Sequence, residues 1–155
     1  MMPATESPMD TLRVFTTGGT IDKVYFDALS AYQIGDPAAA NVFAAMRVEV
    51  PFEITPLMRK DSLELTDADR QVICNAVLQA AEKKILITHG TDTMEHTARA
   101  LQQALGAQPD KRVVLTGSLL PGAFRDTDAI FNIGFALGAL QVMSDRKSTR
   151  LNSSH

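Results

Sequence analysis

The chain has one cysteine, no tryptophan, two tyrosines and three histidines. With Cys74 as its only thiol it can form no intrachain disulfide, so a reducing compartment, the cytoplasm, is expected. Cys74 falls inside a helically spaced stretch, the setting of a small buried hydrophobe rather than of a reactive thiol. Positive charge is scarce: 15 Lys and Arg against 18 Asp and Glu leave a net charge of -3 and no basic patch for nucleic acid. No apolar run reaches the roughly 18 residues of a membrane span. Residues 1–10, MMPATESPMD, have neither the positive start nor the apolar centre of a signal peptide, and read as a disordered tail. No group of His, Cys and carboxylates has metal-ligand spacing, so neither a metal nor a cofactor is expected.

What remains is enough for one α/β domain: 155 residues, 45% hydrophobic, can bury a single sizeable core. The most informative stretch is Ile85 to Met94, ILITHGTDTM. Ile85 to Thr88 is short, apolar and mostly β-branched, and predicts a buried strand. His89-Gly90 breaks it, and Met94, Thr97, Ala98, Leu101 and Leu105 then recur at helical spacing. Thr91, Asp92 and Thr93 thus sit at a strand-to-helix turn, where open α/β sheets hold their ligands. A second turn of this kind follows Val14 to Thr17: Gly18-Gly19-Thr20-Ile21, whose glycines let the backbone approach a ligand closely. If the two turns cap adjacent parallel strands, Thr20 faces Thr91 and Asp92 across one crevice.

The rest of the chain repeats the alternation. Residues 21–32 are irregular and carry Tyr25 and Tyr32, either of which could close over the crevice or pack on the sheet edge. Ala38 to Met46 predicts a short helix, and Val48 to Ile54 an edge strand interrupted by Pro51. Leu57 to Leu65 reads as a loop. Thr66 and Asp69 then form a capping-box pattern ahead of a helix with Val72, Ile73, Ala76, Val77 and Ala80 facing the core. Gly106 ends the helix begun at Met94, Pro109-Asp110 turns the chain, and Val113 to Thr116 predicts another strand ending at Gly117-Ser118. Ala129 to Val142 predicts a nearly all-apolar helix whose Gly134 and Gly138 allow close packing. The alternation implies a doubly wound, mostly parallel sheet in flavodoxin-like order, with helices on both faces and its last strand missing. Residues 145–155, DRKSTRLNSSH, are polar and match the in-frame translation of a common sequencing adapter; they are read as a non-native tail on a C-terminally truncated domain of residues 11–144.

On residue types alone, a threonine on a Gly-Gly turn is a candidate nucleophile that needs a base. Tyr32 or Tyr25, Thr91 with Asp92, and Lys111 just ahead of the Val113 strand are the available helpers. Backbone N–H groups at the two Gly-Thr turns would suit an oxyanion hole. His89 could act as a base or simply fix its loop. Each part also has a purely structural reading, as tight turns and helix caps.

Thr17-Gly18-Gly19-Thr20-Ile21 and His89-Gly90-Thr91-Asp92-Thr93-Met94 together resemble the two signature motifs of the bacterial-type L-asparaginase/glutaminase family. The likeness spans Leu12 to Met143 and is to that family's N-terminal catalytic domain. It implies hydrolysis of the side-chain amide of L-asparagine to L-aspartate and ammonia. By motif position, Thr20 matches the nucleophile, while Thr91, Asp92 and Lys111 match the second threonine and its acid and base partners. Tyr32 matches a flexible-loop tyrosine, and Gly19, Ser62, Gly90 and Asp92 match substrate contacts. Asp128 and Asn132 resemble an Asp…Asn pair with a structural role. Asp22 stands where the family has a small residue, and Leu63 where members carry a polar contact. The resemblance also implies a homo-oligomer acting on a small molecule. The alternatives are a non-catalytic amino-acid-binding module, a hydrolase of another small amide such as glutamine, and a poorly folded fragment of an enzyme.

Overall fold

The computed structural model describes residues 11–25, 32–106, 110–143 and 148–152. The tail expected at residues 1–10, the centre of the irregular loop at 26–31 and the turn at Pro109 lie outside them. Among the described residues, five parallel strands form the sheet: β1 (Leu12–Gly18), β4 (Phe52–Lys60), β5 (Lys84–Thr88), β6 (Arg112–Thr116) and β7 (Ser148–Asn152). Their order is β4-β1-β5-β6-β7. The chain steps outward from β1 to β4, then returns past β1 to β5, so β1 and β5 flank the point where winding reverses. This is the doubly wound order expected from the sequence. A separate antiparallel pair, β2 (Lys23–Tyr25) and β3 (Tyr32–Ile34), follows β1.

Among the described residues, four α-helices cover the sheet: α1 (Ala38–Ala45), α2 (Asp67–Gln79), α3 (Met94–Ala104) and α4 (Ala129–Val142). Their distribution follows from the period-two alternation of each strand. Leu12, Val14, Leu86 and Val114 point to one face, where Phe43 of α1 and Ile133, Ala136 and Leu140 of α4 pack on them. Phe15, Ile85, Ile87, Val113 and Leu115 point to the other, against Ile73 and Val77 of α2 and Met94, Ala98 and Leu101 of α3. Strands buried on both faces must be apolar throughout, which is why ILIT and VVLT carry so clear a signal. Cys74 is buried in the second layer, where desolvation raises its thiol pKa.

Several sequence expectations are corrected. The second strand runs from Phe52 to Lys60 rather than from Val48 to Ile54, so Pro51 precedes it and Pro56 lies within it. It is the edge strand, as a proline requires, and its register with β1 breaks between Thr16 and Gly18. Much of the predicted 57–65 loop is therefore strand. The irregular stretch after Thr20 contains the β2–β3 hairpin, in which Tyr25 and Tyr32 are cross-strand partners. Val72 faces solvent at 47% exposure while Ile73 takes the core position, because Ile73, Cys74 and Val77 define the buried stripe of α2. A Cβ added at Gly134 or Gly138 would meet nothing within 4 Å, so neither glycine serves close packing here. The strand thought missing is present: Ser148–Asn152 pairs in parallel with β6 from Arg112↔Ser148 to Thr116↔Asn152. Backbone pairing needs only N–H and C=O groups, so a polar segment without strand periodicity can occupy an open sheet edge.

Candidate active site

Three turns meet at the carboxyl end of the sheet. After β1, Gly18 and Gly19 adopt φ of 99° and 83°, values that a side chain disfavours. Space forbids one as well: a Cβ at Gly18 would fall 2.6 Å from the Lys60 backbone, and one at Gly19 2.6 Å from the Gly90 nitrogen. The Gly19 N–H donates to the Lys60 carbonyl at 2.9 Å. Thr20 then opens a 3-10 turn, Thr20–Asp22, half-buried. The Gly19 N–H is thereby removed from the donors an oxyanion hole could use.

The second turn, His89 to Thr93, is tied to both neighbouring strands. The Thr17 hydroxyl donates to the Thr88 carbonyl at 2.9 Å, and the His89 N–H to the Thr116 carbonyl at 2.9 Å. Gly90 lies against Ser62, whose Oγ would be 2.5 Å from an added Cβ. The third turn, Ser62–Glu64, follows β4. One Asp61 carboxylate oxygen accepts the Leu63 N–H at 3.3 Å, and the other pairs with Lys23 of β2 at 3.3 Å. The Thr93 hydroxyl donates to the Ser62 carbonyl at 2.7 Å. Ser62 is buried, and its Oγ has no partner among the described residues.

Gly19, Thr20, Ser62, Gly90, Thr91 and Asp92 are therefore brought to one crevice at the switch point between β1 and β5. Thr91 is half-buried and Asp92 exposed. The side chains of Thr20, Thr91 and Asp92 make no hydrogen bond among the described residues. On the far rim, Gly117 touches the second turn: a Cβ there would lie 2.3 Å from the His89 carbonyl and 3.4 Å from Thr91 Cγ2. Asp128 accepts the N–H groups of Leu119 and Leu120, and Asn132 donates to the Gly117 carbonyl at 2.9 Å. That pair fixes the loop after β6, as a structural pair would.

Lys111 does not join them. It precedes β6 and so lies at the amino edge of the sheet, opposite the glycine turns. Its ammonium donates to the carbonyls of Ala80 and of Glu82, the latter at 3.0 Å. Desolvation lowers its pKa, while the negative charges of Asp110 and Glu82 oppose that. Sequence order placed Lys111 beside a strand, but the parallel direction of that strand puts it at the wrong end. Lys23 and Lys60 lie on the crevice side, paired with Asp61 and Asp69. Tyr32 stands in the hairpin that leaves the Thr20 turn and returns beside it, where the Gly35 N–H donates to the Asp22 carbonyl at 2.7 Å.

His89 takes the structural role. It is fully buried; Nδ1 donates to the Gly90 carbonyl at 2.6 Å, and Nε2 meets the Thr97 hydroxyl at 2.8 Å. Burial, with a smaller contribution from Arg70, drives its pKa down to about 4, so the ring is neutral at pH 7. Asp22 is the residue whose role the sequence did not reveal. Pro37 gives α1 no side-chain cap, and the buried Asp22 carboxylate accepts the Ala38 N–H at 2.7 Å instead. Burial outweighs that bond and the Arg59 charge, and raises the Asp22 pKa to about 7. No local pattern links residues sixteen apart, so only the fold exposes this cap.

A crevice between glycine turns at the switch point of a doubly wound sheet, lined by hydroxyls and one carboxylate, lies where α/β domains of this class hold small ligands. The chain belongs to the family described as Asparaginase, N-terminal, whose model matches residues 11–150. It is 35% identical over 133 residues to an L-asparaginase of Thermococcus kodakarensis, covering 81% of this chain and 39% of that protein. The solved thermostable L-asparaginase from Thermococcus kodakarensis superimposes with a TM-score of 0.72 at 29% identity, over 84% of this chain and 40% of that one. A glutamyl-tRNA(Gln) amidotransferase polypeptide of Aeropyrum pernix is 29% identical over 145 residues, 86% of this chain and 33% of its own length. The chain thus spans about two fifths or less of the proteins it matches. Among the described residues, no helix is long and apolar enough to cross a membrane.

Proposed function

We propose that this domain hydrolyses the side-chain amide of L-asparagine, giving L-aspartate and ammonia, with Thr20 as nucleophile. The observation that supports the reading is the contact of the two glycine turns, Gly19 against Gly90, each followed directly by the threonine to which the reading gives a role. The Thr20 oxygen attacks the amide carbon as its proton passes to a base. The C–N bond then breaks, and ammonia leaves with a proton. Water attacks the resulting ester, releases the acid and returns the proton to Thr20. Thr91, next to Asp92 in the chain, is assigned the proton of the attacking water. The backbone N–H groups of Thr20 and Thr91 are the donors for the oxyanion. The unpartnered Ser62 hydroxyl is suited to the substrate α-carboxylate, and Asp92 to its α-ammonium. Tyr32 is given the role of closing residue by its motif position.

On this reading the enzyme is cytoplasmic, in keeping with its single buried thiol, and works as a homo-oligomer. Residues 145–155 are then foreign sequence, of which Ser148–Asn152 forms β7. The matched amidotransferase favours a second reading, in which the released ammonia passes to an acceptor rather than to solution. The test measures ammonia release from L-asparagine and L-glutamine by the chain and by Thr20→Ala. Asparagine turnover that disappears in a Thr20→Ala protein of unchanged melting temperature supports the proposal. Equal turnover in the variant, or saturable asparagine binding without turnover by the folded chain, rejects it.

A further inference from the structure

On the α2–α3 face, away from the crevice, a cleft of about 340 Å³ runs between the two helices. Arg70 and Gln71 of α2 line it, with His96, Arg99 and Gln103 of α3 opposite and Asp67 among them. On a chain of net charge -3 this is a concentration of donors: two guanidinium groups, two amides and an imidazole. Of the carboxylates within reach, Glu95 is engaged by Arg99 and Asp67 meets Arg70 only weakly. Arg70 Nη1 approaches Asp67 only to 3.5 Å, and the Asp67 side chain is fully exposed while that of Arg70 is 12% exposed. The Arg70 Nε–H is buried and has no acceptor among the described residues. A buried donor left in this state is stabilised by any acceptor brought to it. Arg99 pairs with Glu95 one turn back on its own helix, an exposed contact that exchanges readily for a better anion.

We propose that this cleft is a second binding site, for a phosphate or phosphoryl group held between Arg70 and Arg99. The planar guanidinium offers paired N–H donors whose spacing matches two oxygens of a phosphate; Gln103 adds a neutral donor, and Gln71 a second N–H beside the one it gives to Asn75. The volume exceeds that of a single phosphate and leaves room for a small organic group attached to it. Arg70 also links the cleft to the His89 turn. The Arg70 charge is one of the influences that lower the His89 pKa. Thr97, the His89 partner, lies on α3 between the cleft residues His96 and Ala100. A bound dianion that offsets the Arg70 charge therefore changes the field at the turn carrying Gly90 and Thr91. Occupancy itself does not depend on the proposed amide hydrolysis.

The experiment is a titration of the chain with inorganic phosphate at constant ionic strength, chloride replacing it in the control. It is read by nitrogen-15 NMR of the backbone and of the arginine Nε–H groups. The expected result is saturable shifts at Arg70, Arg99 and adjacent α2 and α3 residues, with an affinity that falls about tenfold or more in Arg99→Gln and in Arg70→Gln. Arg99 is exposed, so its replacement tests the site even if Arg70→Gln fails to fold. Succinate serves as the carboxylate probe, and weaker binding than phosphate supports the phosphoryl assignment. Succinate binding as tight as phosphate overturns that assignment. Non-saturating shifts scattered over the surface, or an affinity unchanged in Arg99→Gln, overturn the site.

Discussion

Two buried ionisable residues oppose each other at the residue scale. Asp22 has a folded pKa of about 7 against an ordinary 3.8, so between these values the folded state holds a proton that the unfolded state has lost. Its contribution is complete below the ordinary value and is lost as pH rises towards 7. His89 has a folded pKa of about 4 against 6.5, so stability from keeping it neutral is lost as pH falls through that window. The two slopes nearly cancel between pH 4 and 6.5. Asp22→Asn, which keeps an oxygen for the Ala38 N–H, should uncover the histidine slope, up to about 1.4 kcal/mol per pH unit. Urea denaturation at pH 4.5, 5.5 and 6.5 measures it, and a variant curve as flat as the parent would refute the assignment.

The glycine turns and Lys111 give two further residue-scale expectations. Gly90→Ala should cost about 3 kcal/mol, because its methyl group would overlap Ser62 in a packed turn. It should also reduce amide turnover more than that stability loss explains. Lys111→Met should behave in the reverse way: its ammonium ties the Ala80 and Glu82 carbonyls at the far edge, so melting temperature falls while the kcat of the folded protein is unchanged. A collapse of kcat in a folded Lys111→Met protein would return the lysine to the mechanism.

Among the elements, the central strands and α2 carry the clearest consequences. Ile87 of β5 is fully buried against α2 and α3, so Ile87→Ala should cost about 2–5 kcal/mol in denaturant melts. On α2, Val72→Ala should stay within about 0.5 kcal/mol, as surface changes do. Ile73→Ala, one residue along, should match the Ile87 loss. The Thr66–Asp69 capping box is present as the sequence indicated, with reciprocal bonds of 3.1 and 2.9 Å. Thr66→Ala should remove about 1 kcal/mol. The capping box, ILIT and VVLT were legible because their determinants are local: spacing, β-branching and a cap three residues from its partner. The β2–β3 hairpin and the start of β4 were not, because hydrogen bonds to distant chain override weak local preference there.

At the scale of the whole molecule, α4 presents an apolar surface to solvent. Phe131 is 73% exposed and Val142 83%, and the rings of Phe131 and Phe135 lie 6.2 Å apart on the same side of the helix. This face supports the proposed homo-oligomer, two copies of α4 meeting across the open Gly134 and Gly138. Phe131→Glu with Phe135→Glu should lower the sedimenting mass by half or more while circular dichroism is unchanged. A mass unaltered by the pair would exclude this face as the contact. A chain cut after Ser144 should sediment as larger species, since β6 would then present an unpaired edge.

By itself the sequence determined the class of fold and the placing of Thr20, Thr91 and Asp92 at strand ends, because burial on both faces of a parallel sheet demands apolar runs and sharp turns demand glycine. It also determined, through two motifs, the family to which the chain belongs. Only the tertiary structure decided which end of the sheet each residue occupies, and with it the removal of Lys111 from the crevice. It alone joined Asp22 to Ala38 and His89 to Thr97, and gave the outer edge of β6 to Ser148–Asn152. These are contacts that reach across a turn or an intervening segment, or pairings of bare backbone, and neither leaves a local pattern to read.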